Sequence, residues 1–195
     1  ESDKRQLTER INRLKKKILK INKIRDIQRY RRIKNKIPVI SLVGYTNSGK
    51  STLFNLITKS SVLSKDMLFA SLDSTIRNGY LNGSNFIFID TVGFIRDLPT
   101  TLIDAFKSTL DEIINSDLIL HVRDISDSQY LIHKTEVQKI LSEIGIEKDD
   151  KRIVEVINKI DLVKNKSNFH NLLKHKSIMI SAKKSKGVDK LKKKI

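Results

Sequence analysis

With 195 residues the chain can bury one sizeable core, and its 38% apolar content is that of a globular protein. It has no cysteine, which excludes a disulfide framework and any cysteine-ligated zinc or iron–sulfur site and suits a reducing compartment. No apolar run approaches the roughly 20 residues of a membrane span and the charged start is unlike a secretory signal, so a cytoplasmic chain without stable membrane insertion is expected.

The net charge of +17 is unevenly placed. Residues 1–36 hold 15 Lys or Arg against 4 acids, and residues 183–195 hold 7 against 1. The intervening stretch carries 17 of each sign and is neutral. Two basic flanks around a neutral middle point to a polyanionic partner, with nucleic acid the first expectation.

In chain order, Leu7, Ile11, Leu14, Ile18 and Ile21 alternate four- and three-residue spacings, the seam of a coiled coil. The spacing predicts one long helix from about Leu7 to Tyr30. Its apolar stripe needs a partner, either an upstream helix or the globular domain. This divides the chain into a basic helical linker, 1–36, and a globular domain, 37–195, the latter expected to be cut short in its last helix.

Pro38 closes the arm, and Val39-Ile-Ser-Leu-Val43 reads as a buried strand feeding a glycine-rich turn and a helix over Lys50–Lys59. Further strands are expected near 86–89, 118–123, 153–157 and 177–180, with helices near 99–115, 129–144 and 187–195. Residues 64–79 show no clear periodicity and read as a mobile loop. The alternation predicts the α/β class, with a largely parallel sheet whose strand ends gather the motifs on one edge.

Three runs fall on that edge. Gly44-Tyr45-Thr46-Asn47-Ser48-Gly49-Lys50-Ser51 offers backbone N–H groups and a helix N-terminus to phosphate. Lys50 is the point charge for the β- and γ-phosphates, and the Ser51 hydroxyl is a ligand for Mg2+. Asp90-Thr91-Val92-Gly93 follows the apolar strand Phe86–Ile89. It would hold the same Mg2+ through water on Asp90 and meet the γ-phosphate with the Gly93 N–H. Asn158-Lys159-Ile160-Asp161 ends a further strand; a carboxylate there can accept from both N1 and N2 of guanine, a donor pair adenine lacks. Ser181-Ala182-Lys183 would add a backbone N–H at the guanine O6. GTP or GDP with Mg2+ is the ligand set these runs imply. Asn47 suggests a K+ beside the phosphates, against the plainer reading of a loop-shaping asparagine. His121, His133, His170 and His175 have no metal-ligand spacing or obvious acidic partner and read as structural or surface residues.

The stretches Gly44–Phe54, Leu68-Phe69-Ala70-Ser71-Leu72-Asp73 and Asp90–Pro99, which ends Phe-Ile-Arg-Asp-Leu-Pro, resemble the GTPase domain of HflX-type translational GTPases. The resemblance runs from about Lys36 to the end. The basic helix looks like the linker helix that precedes this domain, with the family's N-terminal domain absent. It implies a P-loop NTPase fold and GTP hydrolysis. It also implies binding to the large ribosomal subunit or the 70S ribosome, and hence to rRNA, in splitting or rescue of stalled ribosomes, by a chain expected to be monomeric. It extends the nucleotide contacts to Thr52 and to Phe69–Asp73, with Lys50, Ser71 and Gly93 serving catalysis.

Two departures stand out. Ser71 replaces the family's switch threonine, the second Mg2+ ligand; Thr75 is the alternative ligand, and Ser74 stands where the family has proline. Phe94 occupies the position of the glutamine that orients water in many small GTPases. A phenyl ring cannot hold that water, so a slow enzyme accelerated by its partner is expected. The competing function is an RNA-binding or RNA-modification-associated GTPase in which the basic helix is the main element.

Overall fold

The structure is a computed structural model that describes residues 2–58, 75–81, 83–91, 93–94, 110–163 and 177–195. The chain forms two compact units, Glu1–Ile37 and Pro38–Ile195. The first is the helix α1 (Ser2–Lys34), longer at both ends than the apolar spacing suggested, because its Lys- and Arg-rich turns also favour helix. Leu7, Ile11, Leu14 and Ile18 are each at least half exposed. No described helix is long and apolar enough to cross a membrane.

The second unit is an α/β domain. In chain order it contains β1 (Val39–Val43), α2 (Lys50–Thr58), β2 (Thr75–Leu81), β3 (Ser84–Asp90), β4 (Leu118–Asp124), α3 (Tyr130–Glu143), β5 (Ile153–Asn158), β6 (Ile178–Met179) and α4 (Val188–Lys194). The six strands lie in the order β2-β3-β1-β4-β5-β6. All neighbours pair in parallel except β2 and β3. Parallel strands need crossovers that return on a sheet face, so both faces are covered.

One core joins Leu53, Phe54 and Ile57 of α2 to Leu42, Phe88 and Val122 of the sheet. The other gathers Val43, Phe94, Ile113 and Ile119 with Val137 and Leu141 of α3. Each such large apolar side chain contributes about 1.5–3 kcal/mol on burial. Together they fix the heights of the loops at the strand ends.

Residues 75–79, expected to lie in a mobile loop, begin β2 instead. The strand runs antiparallel to β3 with Thr75 opposite Asp90 and Gly79 opposite Phe86. Its polar, largely exposed face hid it from a periodicity search, since an edge strand needs to bury only part of its length. Gly79 serves packing: a Cβ there would stand 2.6 Å from the Phe88 ring. Of the helix expected near 99–115 the described part, 110–114, is helical.

Candidate nucleotide site

The carboxyl ends of β1, β3, β4 and β5 open on one edge of the sheet, where ligands of open α/β sheets bind. The loop after β1 turns within residues 44–49 into α2, whose first backbone bond runs from Leu53 N to Gly49 O at 3.0 Å. The N–H groups of the first turn of α2 therefore lack partners within the helix and are available to an anion. Gly44 and Gly49 are required by contact. A Cβ would stand 2.2 Å from the Val122 carbonyl oxygen at Gly44 and 2.2 Å from Asn158 Nδ2 at Gly49, and both residues hold positive φ. Asn47 also adopts the left-handed region, φ 57, which asparagine tolerates better than most side chains.

Lys50 is buried, and its Nζ donates to the carbonyl oxygens of Gly44 at 3.1 Å and Tyr45 at 2.8 Å. Burial pushes its pKa down to about 8, against the attraction of Asp90. Asp90 shifts the other way: burial raises it, opposed by a hydrogen bond from the Ser51 hydroxyl and by the Lys50 charge. Asp90 Oδ1 is buried with no hydrogen-bond partner among the described residues. A hydroxyl and a carboxylate side by side, one oxygen still unpartnered, suit a hard cation completed by phosphate and water oxygens. The residues present fit Mg2+ and a nucleotide polyphosphate.

Gly93 lies against this cluster, where a Cβ would stand 2.8 Å from Thr46 Cα and 3.0 Å from Lys50 Nζ. The following residue ties the segment to the phosphate loop. Phe94 N donates to Gly44 O at 3.1 Å, and Thr46 N donates to Phe94 O at 2.9 Å. The Phe94 side chain is buried in the core beside Val43, so it acts as an anchor. Thr91 Oγ1 donates to Leu42 O at 2.6 Å, fixing the segment from behind.

Asn158 is the hinge pin of the edge. Its Nδ2 donates to Ser48 O at 2.9 Å while its Oδ1 accepts from Ala182 N at 3.0 Å, and the side chain is buried. It thus joins the phosphate loop to the turn after β6. Within the 181–183 triplet, expected to supply a backbone N–H to the guanine O6, the Ala182 N–H is engaged by this asparagine. Asp161 is half-buried, and a hydrogen bond from the Ser181 hydroxyl, with Lys184 and Lys183 nearby, holds its carboxyl below the usual range. It stays an acceptor, as guanine recognition requires. Lys159 Nζ pairs with Asp124 Oδ2 at 2.7 Å.

The expected site residues Phe69, Ala70, Ser71, Leu72, Asp73 and Val92, together with Ser74, His170 and His175, lie outside the described residues. Thr52 lies in the first turn of α2, half-buried, and Thr75 opens β2.

Sequence reasoning missed a layer beneath the phosphate loop. The Tyr45 ring stacks on His133 with centroids 3.7 Å apart and planes at 9°. His133 is also paired with an acid, contrary to expectation: its Nδ1 lies 3.4 Å from Asp127 Oδ2. The two stand six positions apart across the turn into α3, a separation that no regular spacing rule covers. Arg123 stacks over Tyr130 and pairs with Glu155, which also holds Lys134. His121, fully buried in this layer, is pushed down to about 3 by burial, with Glu155 opposing and Arg123, Lys134 and Lys50 adding to the fall.

Comparison with known proteins agrees with this geometry. The model of the 50S ribosome-binding GTPase family matches residues 39–159. The chain belongs to that family. The GTPase HflX of Caldanaerobacter subterraneus subsp. tengcongensis is 43% identical over 192 residues, covering 98% of this chain and 44% of that protein. The GTPase HflX of Lacrimispora saccharolytica is 44% identical, covering 98% and 45%. The chain therefore spans less than half the length of these relatives, and the HflX resemblance read from its motifs is shown by them. Among solved structures, a GTP-binding protein from Sulfolobus solfataricus in complex with GDP is similar at 31% identity and a TM-score of 0.63, covering 89% of this chain and 59% of that one. Era bound to MgGDPNP and a 16S ribosomal RNA segment shares the fold at a TM-score of 0.66 and 24% identity, covering 81% and 55%.

Proposed function

We propose that this chain is the GTP-hydrolysing switch domain of a protein that acts on the large ribosomal subunit or the 70S ribosome in the cytoplasm, in splitting or rescue of stalled ribosomes. The observation that carries the reading is Asn158, bonded at once to Ser48 of the phosphate loop and to Ala182 of the base turn. It makes one rigid cradle from three sequence-distant runs, as a ligand with a polyphosphate at one end and a base at the other requires.

In this reading Lys50 neutralises the β- and γ-phosphates, Gly93 donates its N–H to the γ-phosphate, and Asp161 accepts from guanine. Ser51, Ser71 and, through water, Asp90 would hold Mg2+, which would neutralise charge on the phosphate oxygens. Asn47 contributes to a K+ site beside them. The basic segment 1–36, which contains α1, is the linker to the rest of a monomeric protein. Because Phe94 is buried, its side chain leaves water positioning to another group, and the isolated domain is slow until its partner is bound.

Ribosome co-sedimentation with and without a non-hydrolysable GTP analogue, alongside hydrolysis rates, tests the proposal. Analogue-dependent sedimentation and a rate raised at least tenfold by ribosomes are expected. Nucleotide-independent sedimentation without rate change would overturn it. Equal rates in KCl and NaCl at matched ionic strength would remove the K+ role.

A further inference from the structure

The turn that completes the base site also carries a concentrated charge that nucleotide binding does not use. Residues 183–195 hold seven lysines against Asp189 alone. The segment is firmly built. Ser181 N donates to Lys186 O at 2.9 Å and Lys186 N returns to Ser181 O at 3.1 Å, while Lys184 N donates to Ser181 Oγ at 3.1 Å. Val188 and Leu191 of α4 are buried in the core. Lys190, Lys193 and Lys194, at i, i+3 and i+4, share the face directed away from those two residues. These three and Lys186 are exposed, and none makes an ion pair among the described residues.

We propose that Lys186, Lys190, Lys193 and Lys194 form a pre-organised surface for the phosphate backbone of RNA, placed directly behind the guanine-recognition turn. This rests on the ribosome-directed reading above and names the surface and the partner chemistry. Three properties favour RNA. The charge is local, since the rest of the domain is neutral. It is fixed to a packed turn and helix, so little ordering entropy opposes binding. No large apolar side chain is exposed between Lys183 and Lys194, whereas a protein interface needs apolar or aromatic anchors in its centre. Backbone phosphates need none; they are bound by cations and release counterions. The contrast with α1 is instructive: there exposed Leu7, Ile11, Leu14 and Ile18 interrupt the basic residues. That surface is mixed, and the surface on α4 is purely cationic.

The test compares the chain with K186Q/K190Q/K193Q/K194Q and with the corresponding four-Arg variant. None of the four residues belongs to the nucleotide cradle. Binding of a fluorescein-labelled 20-nucleotide oligouridylate is followed by anisotropy between 50 and 200 mM KCl, with a labelled polyglutamate peptide and phosphatidylserine vesicles as comparison arms. At about 0.7 counterions per neutralised phosphate on a single strand, four contacts account for a slope of roughly 3 in log K against log salt. The Gln variant is expected to lose about 2–3 of that slope and at least tenfold in RNA affinity at 50 mM KCl, with GDP affinity within twofold. The Arg variant keeps both. An unchanged slope in the Gln variant overturns the proposal. So does a lysine-dependent loss as large for polyglutamate or vesicles, at affinities equal to that for RNA. A chain that fails to sediment with ribosomes yet shows the lysine-dependent RNA slope defeats the ribosomal reading and leaves this surface standing. Nucleotide-dependent sedimentation with an unchanged slope does the reverse.

Discussion

Truncation of Asn158 to alanine puts the unity of the cradle to the test. The side chain makes two buried hydrogen bonds, to Ser48 O at 2.9 Å and from Ala182 N at 3.0 Å. Alanine leaves a buried carbonyl and a buried N–H without their partner, each costing about 1–3 kcal/mol. A carbonyl has a second lone pair and a small void admits partial relaxation, so a total of about 2–4 kcal/mol is expected. Urea denaturation of the nucleotide-free chain measures it as a lower midpoint at unchanged slope. Hydrogen exchange locates it: the Ala182 amide loses at least tenfold more protection than amides of β4, which report global stability only. Because phosphate loop and base turn then move independently, GDP affinity falls by at least tenfold. A loss below about 0.5 kcal/mol with GDP affinity unchanged would show that the two loops are held by other means and refute the reasoning.

Three further outcomes follow from the same geometry. Lys50 has a folded pKa near 8, below its ordinary 10.5, so below pH 8 the folded state bears a buried charge whose cost is relieved as pH rises from 8 towards 10.5. Phosphate needs the charged form, so GDP affinity, measured by fluorescence titration from pH 7 to 9.5, should fall above pH 8 by up to about tenfold per unit; a flat profile removes Lys50 as the phosphate cation. Glu155 is pushed up by burial, but Lys134 and Arg123 outweigh this and hold its carboxyl below the ordinary value. Its contribution is therefore present above that ordinary value and lost as pH falls through the lowered one. Glu155→Gln should cost about 1–3 kcal/mol at pH 7, in urea melts, and almost nothing once the carboxyl of the parent is protonated; an equal cost at both pH values would assign the loss to packing. Gly93→Ala brings a methyl to within 3.0 Å of Lys50 Nζ and closer to Thr46, so hydrolysis in single-turnover assays should fall at least tenfold with GDP affinity within a few-fold. Undiminished hydrolysis would detach Gly93 from the γ-phosphate.

The sequence alone carried the α/β alternation, the parallel strands β1, β3, β4 and β5, and the three runs at their carboxyl ends, because each is a local pattern. An apolar strand feeding a glycine turn is legible where it stands. The edge strand β2 was not legible, since its register is dictated by β3 across the pair from Thr75–Asp90 to Leu81–Ser84 and its exposed face imposes no apolar period. Tertiary structure alone decided that Phe94 is an anchor in the core instead of a residue facing the site. It likewise made Asn158 a bond between two loops and stacked Tyr45 on His133. Each of these depends on residues from 24 to 110 positions apart brought within hydrogen-bond or ring-contact distance. Motifs record which groups a site needs; only the packed sheet and its two cores determine which of those groups hold one another and which are left to hold a ligand.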